Sequence, residues 1–163
     1  MPQSLEALAD EILQHAKAAG LAVVTAESCS AGRLAIAFSK GEGASQHFMG
    51  GFVTYTKDAK ARLLGVPREM LSSETAVSAN VAVAMARGAV VRAKASLAVA
   101  ITGVTGPDPD EDGNPVGLVY CAVARSDGGS RHLRLELGKG EPETLIEKSC
   151  RAALRLLRDF AFA

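Results

Sequence analysis

Residues 21–32 read LAVVTAESCSAG, and their order decides the fold. Leu21 to Ala26 is a short apolar, β-branched run bounded by Gly20 and by the polar pair Glu27-Ser28, the pattern of a buried strand. Small polar residues follow, and Ser30 to Phe38 then predicts a helix with Ala31, Leu34, Ala35 and Phe38 on one side. Strand, turn and helix in that order put Ser28 at the carboxyl end of a strand.

Upstream, Leu5, Leu8, Ile12 and Ala16 recur at helical spacing, and Gly20 stands where that helix stops. Downstream, the Gly41-Glu42-Gly43 segment breaks the second helix. Phe48 to Tyr55 predicts a strand, and Lys57 to Leu64 a helix with Thr56 as its N-cap. Pro67 opens a short helical turn, and Ser78 or Asn80 caps a long Ala-rich helix to about Ala93. Ser96 to Thr102 repeats the buried-strand pattern and runs into the loop Gly103-Val104-Thr105-Gly106-Pro107. Beyond the acidic turn Asp108 to Asn114, Val116 to Ala124 and His132 to Leu137 read as a hairpin around Gly128-Gly129, and Thr144 to Phe160 as an amphipathic helix.

Helices alternate with strands for the first hundred residues and a hairpin follows. This order predicts an α/β protein with a mixed sheet covered by helices on both faces, in one domain over residues 1–163. In such sheets ligands bind beyond the carboxyl ends of parallel strands, so Ser28 and Thr102 are expected at one edge.

Composition narrows the function. Lys plus Arg and Asp plus Glu both number 18, so the chain lacks the bulk positive field of a nonspecific nucleic-acid binder, and no nucleic-acid partner is expected. Its most apolar stretch, Val77 to Ala86, is interrupted by Ser78 and Asn80 and is too short to span a bilayer, so no membrane partner is expected either. Cys29, Cys121 and Cys150 are odd in number and widely spaced, which suits free thiols in a cytoplasmic location. His15, His47 and His132 show no metal-ligand spacing, and neither a metal nor a cofactor is implied. The apolar helix from Asn80 to Ala93 serves a subunit interface as readily as a core, and a homo-oligomer, dimer or higher, is expected.

Two polar residues invite a catalytic reading. A nucleophile at Ser28 would have the amides of Ser30, Ala31 and Gly32 beside it to hold an oxyanion or phosphate at the start of a helix. Equally, Ser28 or Ser30 is a helix cap. Cys29 is the rival nucleophile, or a small packed thiol. A serine without a histidine needs another base, and a desolvated lysine serves because burial lowers its pKa. Lys60, with Leu63 and Leu64 close behind it, can turn to the covered face, although a lone helical lysine is more often a surface charge. Lys57, beside Asp58, reads as solvated. The acidic loop Asp108, Asp110, Glu111 and Asp112 reads as a solvated turn or a weak Ca²⁺ site.

In order and spacing, these segments spell out a family: AESCSAG at 26–32, GFVTY at 51–55 with Ala59-Lys60 and LLGV at 63–66, Ala76-Val77-Ser78, TGVTGP at 102–107 and PVGLVY at 115–120. The chain resembles the C-terminal domain of CinA and the stand-alone nicotinamide-nucleotide amidohydrolases over nearly its whole length. The resemblance implies a three-layer α/β/α sandwich with a mixed, mostly parallel sheet. It implies deamidation of a small pyridine nucleotide, nicotinamide mononucleotide, to nicotinate mononucleotide and ammonia, by a Ser28 and Lys60 pair. Tyr55 is then expected to relay a proton or orient Lys60, while Glu27, Cys29, Ser30, Ala31, Gly32, Thr102, Gly103, Thr105 and Gly106 are expected to line the substrate. The chain departs from the family pattern at Glu141 to Glu147, where relatives carry arginines. That departure leaves open a binding domain of the same fold without catalysis.

Overall fold

The computed structural model describes residues 1–163, and all five of its strands join one sheet in the order β2-β1-β3-β4-β5. The opening helix α1 (Leu5–Ala19) starts at Ser4, whose hydroxyl accepts from the Ala7 amide, and ends on the left-handed Gly20. It leads into β1 (Val23–Glu27), buried at every residue. Two short helices, α2 (Arg33–Ser39) and α3 (Ala44–His47), connect β1 to β2 (Phe48–Val53), which lies parallel to it. The chain then crosses through α4 (Lys57–Leu64), α5 (Arg68–Ser73) and α6 (Ala79–Ala93) to β3 (Leu97–Gly103), parallel to β1 on its other side. The hairpin β4 (Leu118–Arg125) and β5 (Ser130–Glu136) adds antiparallel to β3, and α7 (Pro142–Phe162) closes the chain.

The sheet is therefore mixed. Its two parallel pairings flank β1 and its two antiparallel pairings carry the hairpin. Because successive residues face opposite ways, each strand supplies both cores. Leu97, Val99 and Ile101 join Val119, Cys121 and Val123 under α1, α2 and α7. Ala98, Ala100, Ala122 and Ala124 form a flat alanine floor under α6. The α6 residues facing that floor are also small, including Ala82, Ala86 and Ala89, so the helix lies close to the sheet. Thus the Ala-rich face that suited a subunit interface is core, and only single residues such as Val91 look outward.

Close approach also fixes α4 against α6. A Cβ built on Gly88 would stand 2.0 Å from the Leu64 carbonyl oxygen, so glycine is required there for the end of α4 to touch α6.

One predicted helix differs. The run from Ser30 begins as turns, and α2 starts only at Arg33, because Ala31 and Gly32 take left-handed φ values of 47° and 100°. Those two residues redirect the chain immediately after Ser28.

Candidate active site

Three neighbouring parallel strands end at one level. The Ser28 amide donates to the Ile101 carbonyl of β3 at 3.0 Å, and the Thr54 amide donates to the Glu27 carbonyl at 2.8 Å. Ser28, Thr54 and Thr102 therefore meet at the carboxyl edge, on either side of β1, where the crossovers leave in opposite directions and a crevice opens. Thr102 is buried there, its hydroxyl donating to the Ala76 carbonyl at 2.6 Å.

Helix α4 supplies the fourth side chain. Thr56 caps it, accepting from the Ala59 amide at 3.0 Å, and the first turn then carries Lys60 inward. Lys60 is only 1% exposed, and its Nζ donates to Ser28 Oγ at 2.7 Å and to the Thr54 carbonyl at 2.8 Å. Burial lowers its pKa from 10.5 to about 8, with Cys29 pulling weakly the other way. A neutral amine here gives one N–H to the Thr54 carbonyl and can turn its lone pair toward the Ser28 hydroxyl. Of the two sequence readings of Lys60, the buried one holds.

The turn after β1 is organised differently from expectation. Glu27, fully buried, accepts from the Ser30 hydroxyl at 2.8 Å and from the Leu34 and Ala35 amides at 2.8 and 3.1 Å. Its carboxylate therefore fills the start of α2 and supports the turn from beneath instead of lining the ligand space. The Ala31 amide is also committed, donating to the Ser28 carbonyl at 3.1 Å, so it is removed from the expected oxyanion set. The amides of Cys29, Ser30 and Gly32 donate to no backbone carbonyl, although those of Cys29 and Ser30 lie near enough to the Cys29 sulfur to favour its thiolate slightly. Burial pushes the Cys29 thiol up to about 12, which suppresses the thiolate a rival nucleophile needs.

Ser28 and Lys60 open into a cavity of about 570 Å³, a volume suited to a nucleotide-sized ligand. Of the predicted residues, Cys29, Tyr55, Thr102, Gly103, Thr105 and Gly106 line it as well, whereas Glu27, Ser30, Ala31 and Gly32 do not. Tyr55 sits at the rim, 70% exposed, and both hydrogen bonds of Lys60 go elsewhere.

Sequence reasoning missed the opposite wall. Lys57, read as solvated beside Asp58, lines the cavity and pairs with Asp112 at 2.8 Å and Glu111 at 3.6 Å, while Asp58 turns to Arg62 and Arg68. The acidic loop is thus part of the site's mouth. The signal available was its position, directly after the Gly/Pro loop that leaves β3. No group of three or more His, Cys, Asp or Glu side chains is arranged as a metal site. The Glu141 to Glu147 segment lies outside the cavity, where Glu143 and Glu147 pair with Arg33 and Glu147 also with Arg151.

The sequence model of the CinA C-terminal domain matches residues 5–161. The chain belongs to that family.

Within the CinA family, it is 40% identical over 152 residues to the nicotinamide-nucleotide amidohydrolase PncC of Escherichia coli K12, covering 92% of this chain and 90% of that protein. It is 50% identical over 111 residues to a CinA-like protein of Geobacter sulfurreducens, covering 68% of this chain but 27% of that longer protein. A CinA-like protein of Mycolicibacterium gilvum is 44% identical over 140 residues, and there the chain spans 33% of the relative's length. The competence/damage inducible protein CihA from Agrobacterium tumefaciens has the same fold, with a TM-score of 0.92 at 39% identity over 98% of this chain and 96% of that one. A CinA superfamily protein from Escherichia coli superposes with a TM-score of 0.91 at 37% identity, over 96% and 90% of the two chains. The α/β architecture is shared throughout, and no helix here is long and apolar enough to cross a membrane.

Proposed function

We propose that this chain is an amidohydrolase that converts nicotinamide mononucleotide and water to nicotinate mononucleotide and ammonia through an acyl-enzyme on Ser28. The observation that carries the reading is the buried contact of 2.7 Å between Lys60 Nζ and Ser28 Oγ, in the wall of a nucleotide-sized cavity. The amidohydrolase name of a relative aligned over 92% of the chain supports the substrate.

In this mechanism neutral Lys60 takes the Ser28 proton as Oγ attacks the carboxamide carbon. The tetrahedral oxyanion sits at the amide of Cys29, which lines the cavity and donates to no backbone carbonyl. The C–N bond then breaks, Lys60 returns its proton to the departing nitrogen, and ammonia leaves. Water attacks the ester as Lys60 accepts its proton, and the bond from the acyl carbon to Oγ breaks. Lys60 returns the proton to Ser28 Oγ, and the product loses its acid proton to solvent and leaves as the carboxylate. Thr102 and Thr105 line the space for the nucleotide, and Tyr55 closes its rim. The three free thiols fit a reducing cytoplasm, which is part of this proposal.

The test is ammonia release from nicotinamide mononucleotide by the wild type, Ser28→Ala and Lys60→Ala. Release that is abolished in both variants supports the pair. Release that persists in Ser28→Ala removes the nucleophile, and a wild type without activity leaves a binding domain of the same fold.

A further inference from the structure

The cavity is short of positive charge for a ligand that carries a phosphate. Only two of its lining residues are basic, Lys57 and Lys60, against five acidic ones. Lys60 is committed to Ser28 and Thr54. Of the acids, Asp58 is neutralised by Arg62 and Arg68, each at 2.8 Å. Asp110 is consumed inside its own loop, accepting from the Asp112 and Asn114 amides and from Asn114 Nδ2. Asp108 makes no ion pair, and Asp112 and Glu111 both face Lys57 from across the mouth.

Lys57 and those two acids belong to opposite walls. Lys57 is the first residue of α4, which follows β2, whereas Asp112 and Glu111 hang from the loop that follows β3. Their ion pairs therefore strap one wall of the crevice to the other. Pairs with this much exposure are individually weak and are displaced by a competing anion of higher charge. A phosphate dianion is such an anion, and Lys57 is the one cavity cation that the chemical step leaves free to meet it.

Resting on the amidohydrolase reading, we propose that Lys57 is the phosphate-binding residue of the site and that Asp112 and Glu111 occupy it as an internal stand-in anion until the substrate's phosphate displaces them. Lys57 then sets the preference for the mononucleotide over the same nucleoside without its phosphate. The acidic loop acts as the opposing weight, holding the mouth strapped while the site is empty and weakening phosphate binding by its charge.

The experiment compares kcat and KM for nicotinamide mononucleotide and for nicotinamide riboside in the wild type, Lys57→Met and Asp112→Asn. The selectivity ratio of kcat/KM, mononucleotide over riboside, is expected to fall about tenfold in Lys57→Met, chiefly through the mononucleotide KM, as befits one lost charge-assisted contact. Asp112→Asn is expected to raise the ratio about threefold. Inorganic phosphate, as a competitive inhibitor, should lose affinity in the first variant and gain it in the second. An unchanged ratio in Lys57→Met, or an equal loss of kcat on both substrates, overturns the assignment. If the wild type releases ammonia from neither compound, the amidohydrolase reading fails separately. Calorimetric titration of the mononucleotide into wild type and Lys57→Met then decides the Lys57 assignment, with equal affinities overturning it.

Discussion

Replacing Lys60 by methionine should destroy activity and stabilise the protein at neutral pH. Burial holds the Lys60 pKa near 8 in the folded protein, against 10.5 for the free side chain. Below pH 8 both folded and unfolded chains are protonated, so the fold bears the whole cost of burying the ammonium, about 3 kcal/mol at 1.36 kcal/mol per unit. Between pH 8 and 10.5 the folded protein releases its proton while the unfolded chain keeps it, and the cost shrinks as pH rises. Methionine fills nearly the same space without charge, but it leaves the Thr54 carbonyl without its donor, which returns roughly 1–2 kcal/mol. The net expectation for Lys60→Met at pH 7 is a gain of about 1–2 kcal/mol, or roughly 2–8 °C in Tm. Above pH 10.5 the variant should become the less stable of the two. Urea unfolding of both proteins at pH 7, 9 and 11, beside the ammonia assay, reads the crossing. A variant that is less stable by the same margin at every pH, or one that still turns over, refutes the idea of a strained, buried base.

The same pKa fixes the rate profile: Lys60 must be neutral to accept a proton, so kcat/KM should climb with pH to an inflection near 8, with about tenfold more activity at pH 9 than at pH 7. A flat profile from pH 6 to 9 would exclude Lys60 as the base. Glu27→Ala strands the Ser30 hydroxyl and two α2 amides, and should cost about 2–4 kcal/mol in urea unfolding together with most of the activity; stability within 0.5 kcal/mol of wild type, at about the scale of a surface change, contradicts its structural role. Gly88→Ala drives a methyl into the Leu64 carbonyl and should lower both stability, by about 1–3 kcal/mol, and kcat, through displaced α4; a variant with normal stability and turnover breaks that link. The homo-oligomer expected from the sequence should use the β2 edge, where Met49, Val53 and the neighbouring Ile36 are exposed, so sedimentation should show more than monomer mass and Val53→Lys should reduce it; a wild type that is monomeric at high concentration refutes this.

The element boundaries were legible wherever local chemistry marks them. Gly20, Thr56 and Ser78 stand at helix ends in the structure as they do in the sequence, because caps act on amides within a few residues. The alternation of large and small residues along β3 and β4 was equally present in the sequence, but only the crossovers decided which face met α6. Ala31 shows the limit of periodicity: it fits a helical stripe, yet its positive φ serves the turn behind Ser28.

Sequence alone thus determined the strand-turn-helix at Ser28, the α/β order and the family, since these rest on patterns of spacing and small residues along one stretch of chain. It left open whether Lys60 faced solvent, put Glu27 in the wrong surroundings, and missed that Lys57, still partly exposed, pairs with Asp112. Those were decided by tertiary structure, because burial and charge pairing depend on neighbours distant in the chain: 32 residues separate Lys60 from Ser28, and an even longer stretch separates Lys57 from Asp112. A side chain's pKa and partners follow from which elements the sheet brings together at one edge, and no local pattern carries that information.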